Sequence, residues 1–278
     1  MKQKKLIPIM LSLLLVSALI PAAAAIEKPL TQAESELTAE GDLPAGCAES
    51  KLADLAADAV LEASGSQLAI LPASAVTGTL EQGAVYNSDL ERVIPEDLPL
   101  VTATLSPAQL RDMLETGVSK LTRDSGDYID VEASSWDGFP QLAGGDSFKW
   151  EYDVSAPVGE RVQYIQLNGE ELDLTDTETQ LTITSVASMF DGSLGYEVID
   201  AQSTDLTLRQ AVHDYCHARD TISKPSTRSS AIGTSNYTIK DKFPVPLIVG
   251  ICIVFALISA VPKWKEQELF TFRSRKNK

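Results

Sequence analysis

Two apolar runs bracket this chain, and they confine any water-soluble core to the residues between them. Leu6–Ile20 carries no charge and follows Lys2, Lys4 and Lys5. Pro21 and Ala22–Ala25 then supply the small residues a signal peptidase requires, so residues 1–25 read as a secretory signal cut after Ala24 or Ala25. An uncut anchor is the alternative, although the run is short for a membrane span. The second run is Val245–Val261. At ~1.5 Å per residue it covers roughly 26 Å, close to the ~30 Å hydrocarbon core of a bilayer. Trp264 stands where an interfacial aromatic belongs. Lys263, Lys265, Arg273, Arg275, Lys276 and Lys278 follow, which puts the tail in the cytoplasm by the positive-inside rule. A buried core helix needs no such basic flank, and a lipid-anchor signal would end in its apolar stretch. The expected topology is an exported, single-pass protein. Residues 243–262 anchor it in the cytoplasmic membrane, the domain lies outside, and the basic tail 263–278 lies inside.

The bracketed part is strongly acidic. Of 23 Lys and Arg, three fall in the leading run and six beyond residue 242; of 39 Asp and Glu, two lie beyond residue 242. The segment between is therefore near −23, a surface that repels nucleic-acid backbones and anionic lipid. Nucleic acid is not an expected partner, and solubility is the simplest use of the charge. Of three cysteines, Cys252 falls in the second apolar run. Cys47 and Cys216 flank the globular region, and in an exported protein they are candidates for a disulfide tying its ends together. Such a bridge would contribute ~4–5 kcal/mol on the chain-entropy model. Two unpaired thiols are the alternative.

Periodicity divides the middle into elements. Glu49–Ala63 places Leu52, Leu55, Ala56, Ala59 and Val60 on one helical face. Leu105–Val118 has Ser106 as a candidate N-cap, Pro107 in the first turn, and Leu110, Met113, Leu114 and Val118 at helical spacing. Gly117 marks a break or a close approach. Gln67–Leu71, Pro99–Leu105, Phe148–Tyr152, Val162–Leu167 and Leu181–Val186 read as strands, and Asn168–Gly169 as a tight hairpin into Glu171–Leu174. Leu208–Arg219 is a closing helix capped by Asp205 or Thr207. The order of helices and strands gives an α+β class with one domain over residues 48–220. Residues 26–47 read as a polar leader, and the Ser/Thr-rich residues 221–242 as a flexible stalk.

Chemistry-bearing residues are few. His213 and His217 lie four apart on one helix with Cys216 beside them, which is metal-compatible spacing, but no third and fourth ligand is apparent. Exposed helix residues are the simpler reading. The acidic run Asp124, Asp127, Asp130 and Glu132 lacks the order of a calcium loop and reads as solvated. Ser74 and Ser193 have no paired histidine, so no catalytic nucleophile, metal or cofactor is expected. Trp136, Phe139 and Trp150 could line a sugar or nucleoside site, although such aromatics are most often core.

Several stretches, in order, resemble one family. ESKLADLAADAV is similar to the opening helix of the 5′-nucleotidase C-terminal domain, and LSPAQLRDMLETGV to its second helix. FPQLAG, YDVSAPVGERV and NGEEL occupy the places of its aromatic-led strand, its G-x-R-V turn and the following hairpin. SMFDGSLGYEVI falls at its glycine-rich G-G-D-G-F/Y loop, and LTLRQAVHDY resembles its closing helix. The resemblance spans about residues 48–220 and implies a mixed sheet with packed helices that binds a nucleoside between two aromatics. In the family, a separate metallophosphoesterase domain supplies two metals. Here His213 and His217 are the only histidines, too few for such a centre.

The binding loops also depart from the family pattern. Pro72–Thr77, PASAVT, stands where the family has N-G-G-G-I-R, so the close-approach glycines and the anion-pairing arginine are missing. Glu96 stands where the first stacking aromatic would follow Ile94–Pro95. Tyr196 matches the second aromatic, and Leu194 replaces the aspartate of that loop. Asp191 and Tyr196 are thus the residues left to line a ligand cleft, unless Tyr196 is packed inward. Stacking on one ring is worth ~1–3 kcal/mol, too little alone for useful affinity. The expected function is a membrane-anchored, extracellular module that is non-catalytic by itself and carries a degenerate nucleoside cleft. The alternatives are the specificity half of a split nucleotide hydrolase, whose partner is a separate metallophosphoesterase chain, and a purely structural surface protein.

Overall fold

Short strands and capped helices alternate from residue 31 to residue 232 in the computed structural model, which describes residues 27–41 and 43–234. β1 (Thr31–Ala33) and β2 (Leu37–Thr38) precede α1 (Lys51–Ser64). β3 (Leu68–Pro72), β4 (Thr79–Leu80) and β5 (Gly83–Val85) lead to α2 (Asn87–Val93). β6 (Pro99–Leu105) feeds α3 (Pro107–Val118), and a single turn, α4 (Val131–Ser134), precedes β7 (Pro140–Ala143). β8 (Lys149–Asp153), β9 (Val162–Leu167), β10 (Glu170–Glu171) and β11 (Leu181–Val186) follow. α5 (Ala187–Phe190), β12 (Gln202–Thr207), α6 (Leu208–His217), β13 (Thr221–Ile222) and β14 (Ser229–Ile232) complete the described chain.

The principal sheet has the order β12-β6-β11-β3-β7. β11 sits at its centre, antiparallel to β6 and parallel to β3. A second sheet, β10-β9-β8-β14, ends in a parallel pair between β8 and β14. Two small sheets, β13-β1-β5 and β2-β4, accompany them. The fold is thus mixed α and β with several mixed sheets. α1 packs on β3 and β7 and against α6. It buries Leu52, Leu55, Ala56, Ala59 and Val60, the face its spacing marks. Each buried Leu or Val there contributes about 1.5–3 kcal/mol. Ser50 caps the helix by accepting the Ala53 N–H, and Gly65 ends it at φ 66°, where a side chain would be strained. α3 starts with a capping box: Ser106 Oγ accepts from Gln109 N at 3.2 Å, and Gln109 Oε1 accepts from Ser106 N at 2.9 Å. Asn168 (φ 54°) and Gly169 (φ 83°) make the expected two-residue hairpin between β9 and β10.

Two boundaries differ from the sequence expectation. The leader 26–47 is part of the domain: β1 pairs with β5 and β13, β2 pairs with β4, and Ala33, Leu37, Ala39 and Cys47 are buried. The buried Gln141 amide secures the end of this segment. It donates to Ala45 O and Ala48 O, both at 2.8 Å, and accepts from Ser50 N at 3.0 Å. The described part of the stalk is not free either, because β13 and β14 are paired strands and Arg228 is buried. Strands of two to four residues carry no readable period, which is why these segments read as linkers from composition. Among the described residues no helix is long and apolar enough to cross a membrane. The expected signal, span and tail lie outside the described residues.

Candidate functional site

The loop after α5 carries the residues that matched the nucleoside-binding pattern. It closes on itself: Gly192 N donates to Tyr196 O at 2.7 Å, Gly195 N to Gly192 O at 3.0 Å, and Val198 N to Phe190 O at 3.0 Å. Gly192 and Gly195 take φ of 89° and 77°, which a side chain would resist. Asp191 is exposed, and its Oδ1 accepts from Ser193 N at 2.9 Å. Hydrogen bonding with Ser193 holds its carboxyl below the usual range. Asp191 therefore shapes the turn.

Tyr196 points inward and is 2% exposed. Its hydroxyl donates to Gly138 O at 2.8 Å, and burial raises its phenol above the ordinary value. Its ring stacks on Trp136 with centroids 5.5 Å apart and planes at 29°. Two glycines make this packing feasible. A Cβ at Gly117 of α3 would lie 2.6 Å from Pro140 Cδ and 2.9 Å from the Tyr196 hydroxyl. A Cβ at Gly138 would lie 2.5 Å from the Trp136 ring. The close approach expected at Gly117 is thus real, and its partners are Pro140 and Tyr196. The structure does not bring Asp191 and Tyr196 together as a cleft. One is a turn residue in water, the other a core aromatic. Phe139 and Trp150 are also core residues, whereas Trp136 is half-buried.

The other loops of the pattern are closed in the same way. Pro72–Thr77 leaves β3 through a short helical turn at Ala73–Ala75. Ala73 N donates to Phe139 O, Ser74 N to Asp137 O and Thr77 N to Val93 O, each at 2.9 Å. These three backbone donors are spent on protein carbonyls. Glu96 is exposed. The chain before it is pinned by Arg209 of α6, whose guanidinium donates to Ile94 O and Pro95 O at 2.8–3.1 Å. Sequence reading missed Arg209, because its partners are backbone carbonyls more than a hundred residues away. A shallow groove of about 200 Å³ lies beside it, lined by Asn87, Leu90, Glu91, Asp97, Gln210 and His213.

His213 and His217 stack face to face, centroids 5.8 Å apart, and His213 Nδ1 lies 2.9 Å from Asp214 Oδ1. Among the described residues no group of three or more His, Cys, Asp or Glu is placed to hold a metal ion. Asp124 Oδ1 accepts Gly126 N and Tyr128 N, and Asp130 caps α4. The disulfide considered for Cys47 and Cys216 is not formed. Both are free, buried thiols; Cys47 Sγ donates to Pro44 O at 3.5 Å, and burial pushes both thiols up to about 11.

The fold has clear relatives. A 5′-nucleotidase precursor from Thermus thermophilus superposes with a TM-score of 0.63 at 19% identity, covering 82% of this chain and 44% of that one. The NAD nucleotidase of Haemophilus influenzae gives 0.60 at 15% identity, covering 74% and 38%. A 5′-nucleotidase from Staphylococcus aureus gives 0.58 at 15% identity, covering 74% and 41%. At these identities the likeness is one of fold, and the chain spans less than half the length of each. No curated protein sequence matches it. The family model of the 5′-nucleotidase C-terminal domain matches residues 30–199, taking in the first strands as well as the Tyr196 loop. By that match, over more than half its length, the chain belongs to the 5′-nucleotidase C-terminal domain family.

Proposed function

We propose that this chain is a membrane-tethered, extracellular module of the nucleotidase C-terminal type that cleaves no phosphoester by itself, its nucleoside slot being filled by its own side chains. The observation that carries this reading is the stack of the buried Tyr196 on the half-buried Trp136, with the tyrosine hydroxyl committed to Gly138 O. A base that must stack on Tyr196 meets a ring already facing Trp136. The spent N–H groups of Ala73, Ser74 and Thr77 support it from the other side of the pattern. A two-metal centre draws on several imidazole and carboxylate ligands. The sequence holds two histidines, both on α6. The tether rests on the apolar run Val245–Val261 and its basic flank.

The test uses the full chain, solubilised in non-ionic detergent, with magnesium, manganese or zinc. We expect no phosphate release from nucleoside monophosphates or NAD, and no thermal shift with a nucleoside panel. A ligand at 100 times its Kd would stabilise by ~2.7 kcal/mol, which such an assay resolves. Phosphate release above a Tyr196→Ala control would overturn the proposal. A second reading, the specificity half of a split hydrolase, draws on the fold likeness to parts of whole nucleotidases. It requires a separate metallophosphoesterase chain to co-purify with the tagged protein, and recovery of none counts against it.

A further inference from the structure

Where the segment 226–232 crosses α1, five charged side chains meet, and Glu49, Asp54 and Arg228 among them line a small space. Glu49, just before α1, accepts from Arg228 N at 2.8 Å and Ser229 N at 2.5 Å through Oε2, and its Oε1 pairs with Lys51. Lys51 Nζ also donates to Asp54 Oδ2 at 3.0 Å and Ser226 O at 3.1 Å. Arg228 is buried; it pairs with Asp58 and donates to Leu142 O at 3.0 Å. Asp54 is 0% exposed, and its Oδ1 has no hydrogen-bond partner among the described residues. The space here is walled by Phe139, Pro140, Leu142 and Trp150, and it has no room for a water molecule.

Lys51 and Arg228 supply two positive charges, whereas Glu49, Asp54 and Asp58 supply three acids. A buried odd carboxylate with an orphan oxygen is costly, and one proton removes both the excess charge and the orphan. We propose that Glu49 and Asp54 share one proton, and that this proton fastens the 226–232 segment to α1 and β8 as an acid-closed clasp. The Asp54 carboxyl donates to Glu49, which is left free to accept the two strap N–H groups. The surrounding groups agree. Burial, and then the Glu49 charge, push Asp54 up to about 8 against the pull of Arg228 and Lys51. Asp58 is also raised, by burial first, with Asp146 adding to the rise and Arg228 and Arg219 opposing it. Tyr152 of β8 feels the Glu49 charge, and Tyr215 of α6 feels Asp58 and Arg219; burial is the first cause that raises each phenol. Both are neutral in this range.

The sign follows from linkage. Asp54 binds its proton more tightly with the clasp shut than open, so opening releases a proton between an ordinary carboxylate value and about 8. Closure is strongest in mild acid and weakens as pH rises towards 8. Glu49, held low in the closed state, opposes this only below its ordinary range. An open clasp releases the Arg228 and Ser229 N–H groups from Glu49 and loosens the start of β14 on β8.

Hydrogen exchange read by mass spectrometry on the full chain in detergent tests this, with rates corrected for intrinsic pH dependence. For peptides covering 226–232 the opening constant should rise by up to about tenfold per pH unit from 5 to 8. Peptides from β11 should show no such slope, and Asp54→Asn, which keeps a donor facing Glu49, should flatten it. A flat wild-type profile, a slope shared by all peptides, or an unchanged slope in Asp54→Asn each overturns the clasp. If Asp54→Asn fails to fold, carboxyl-carbon NMR of wild-type Asp54 decides: a midpoint near 8 supports the shared proton, and one near 4 refutes it.

Discussion

Replacing Tyr196 by Phe separates a core tyrosine from a ligand-stacking one. The substitution keeps the ring, and with it the contact with Trp136 at 5.5 Å. It removes one atom, the hydroxyl that donates to Gly138 O at 2.8 Å. A neutral hydrogen bond contributes about 0.5–1.5 kcal/mol net, and a carbonyl left unpaired in the interior adds part of a further 1–3 kcal/mol. Gly138 O faces a buried phenol, so water replaces the lost donor poorly. The expected destabilisation is about 1–2.5 kcal/mol. For a domain of this size each kcal/mol lowers Tm by about 2–4 °C, so the shift should be roughly 2–10 °C. Differential scanning fluorimetry and urea unfolding of the same samples give the number. A solvent-facing tyrosine would change stability by no more than about 0.5 kcal/mol. A shift below that, together with a nucleoside-dependent rise in Tm that Tyr196→Phe preserves and Tyr196→Ala abolishes, would refute the closed-slot argument.

Gly117→Ala should destabilise by about 1–3 kcal/mol, because its methyl would sit 2.6 Å from Pro140 Cδ; urea midpoints check it, and a neutral result would mean that β7 shifts freely. Gln141→Leu should cost about 2–4 kcal/mol, since Ala45 O, Ala48 O and Ser50 N lose one shared partner, and limited proteolysis should then cut first before residue 50. Cys47 and Cys216 should resist iodoacetamide in the native protein at pH 8 and react once unfolded without prior reductant, as peptide mapping would reveal; a peptide pair released only by reductant would restore the disulfide. Because both thiols are raised by burial, they favour the folded state below the ordinary thiol range, and this contribution is lost as pH rises towards about 11. An alkaline melting series of wild type against Cys47→Ala and Cys216→Ala should show the variants losing less stability over that range.

Local signals were strong where an element is long enough to repeat its pattern. The capping box of Ser106 and Gln109, the apolar faces of α1 and α3, the alternation of β9 and β11 and the Asn168–Gly169 turn depend on residues within a few positions of one another. They were legible without a fold. The motif order along those elements was enough to point to the family, because order and spacing survive when individual binding residues are lost.

What the linear chain left open was every relation that spans distant segments. Tyr196 matched a ligand-stacking position, but its direction depends on Trp136 and Gly138 in one stretch and Gly117 in another. Residues 26–47 and 221–234 look like linkers because their strands are too short to show a period; pairing partners remote in sequence make them part of the core. Arg228 reads as one more surface charge until α1 brings Asp54 and Asp58 against it. The sequence by itself determined which of the longer segments become helices and strands and which family they spell. Tertiary structure decided which side chains leave water, because burial is a property of the partners that converge on a residue and not of its neighbours along the chain.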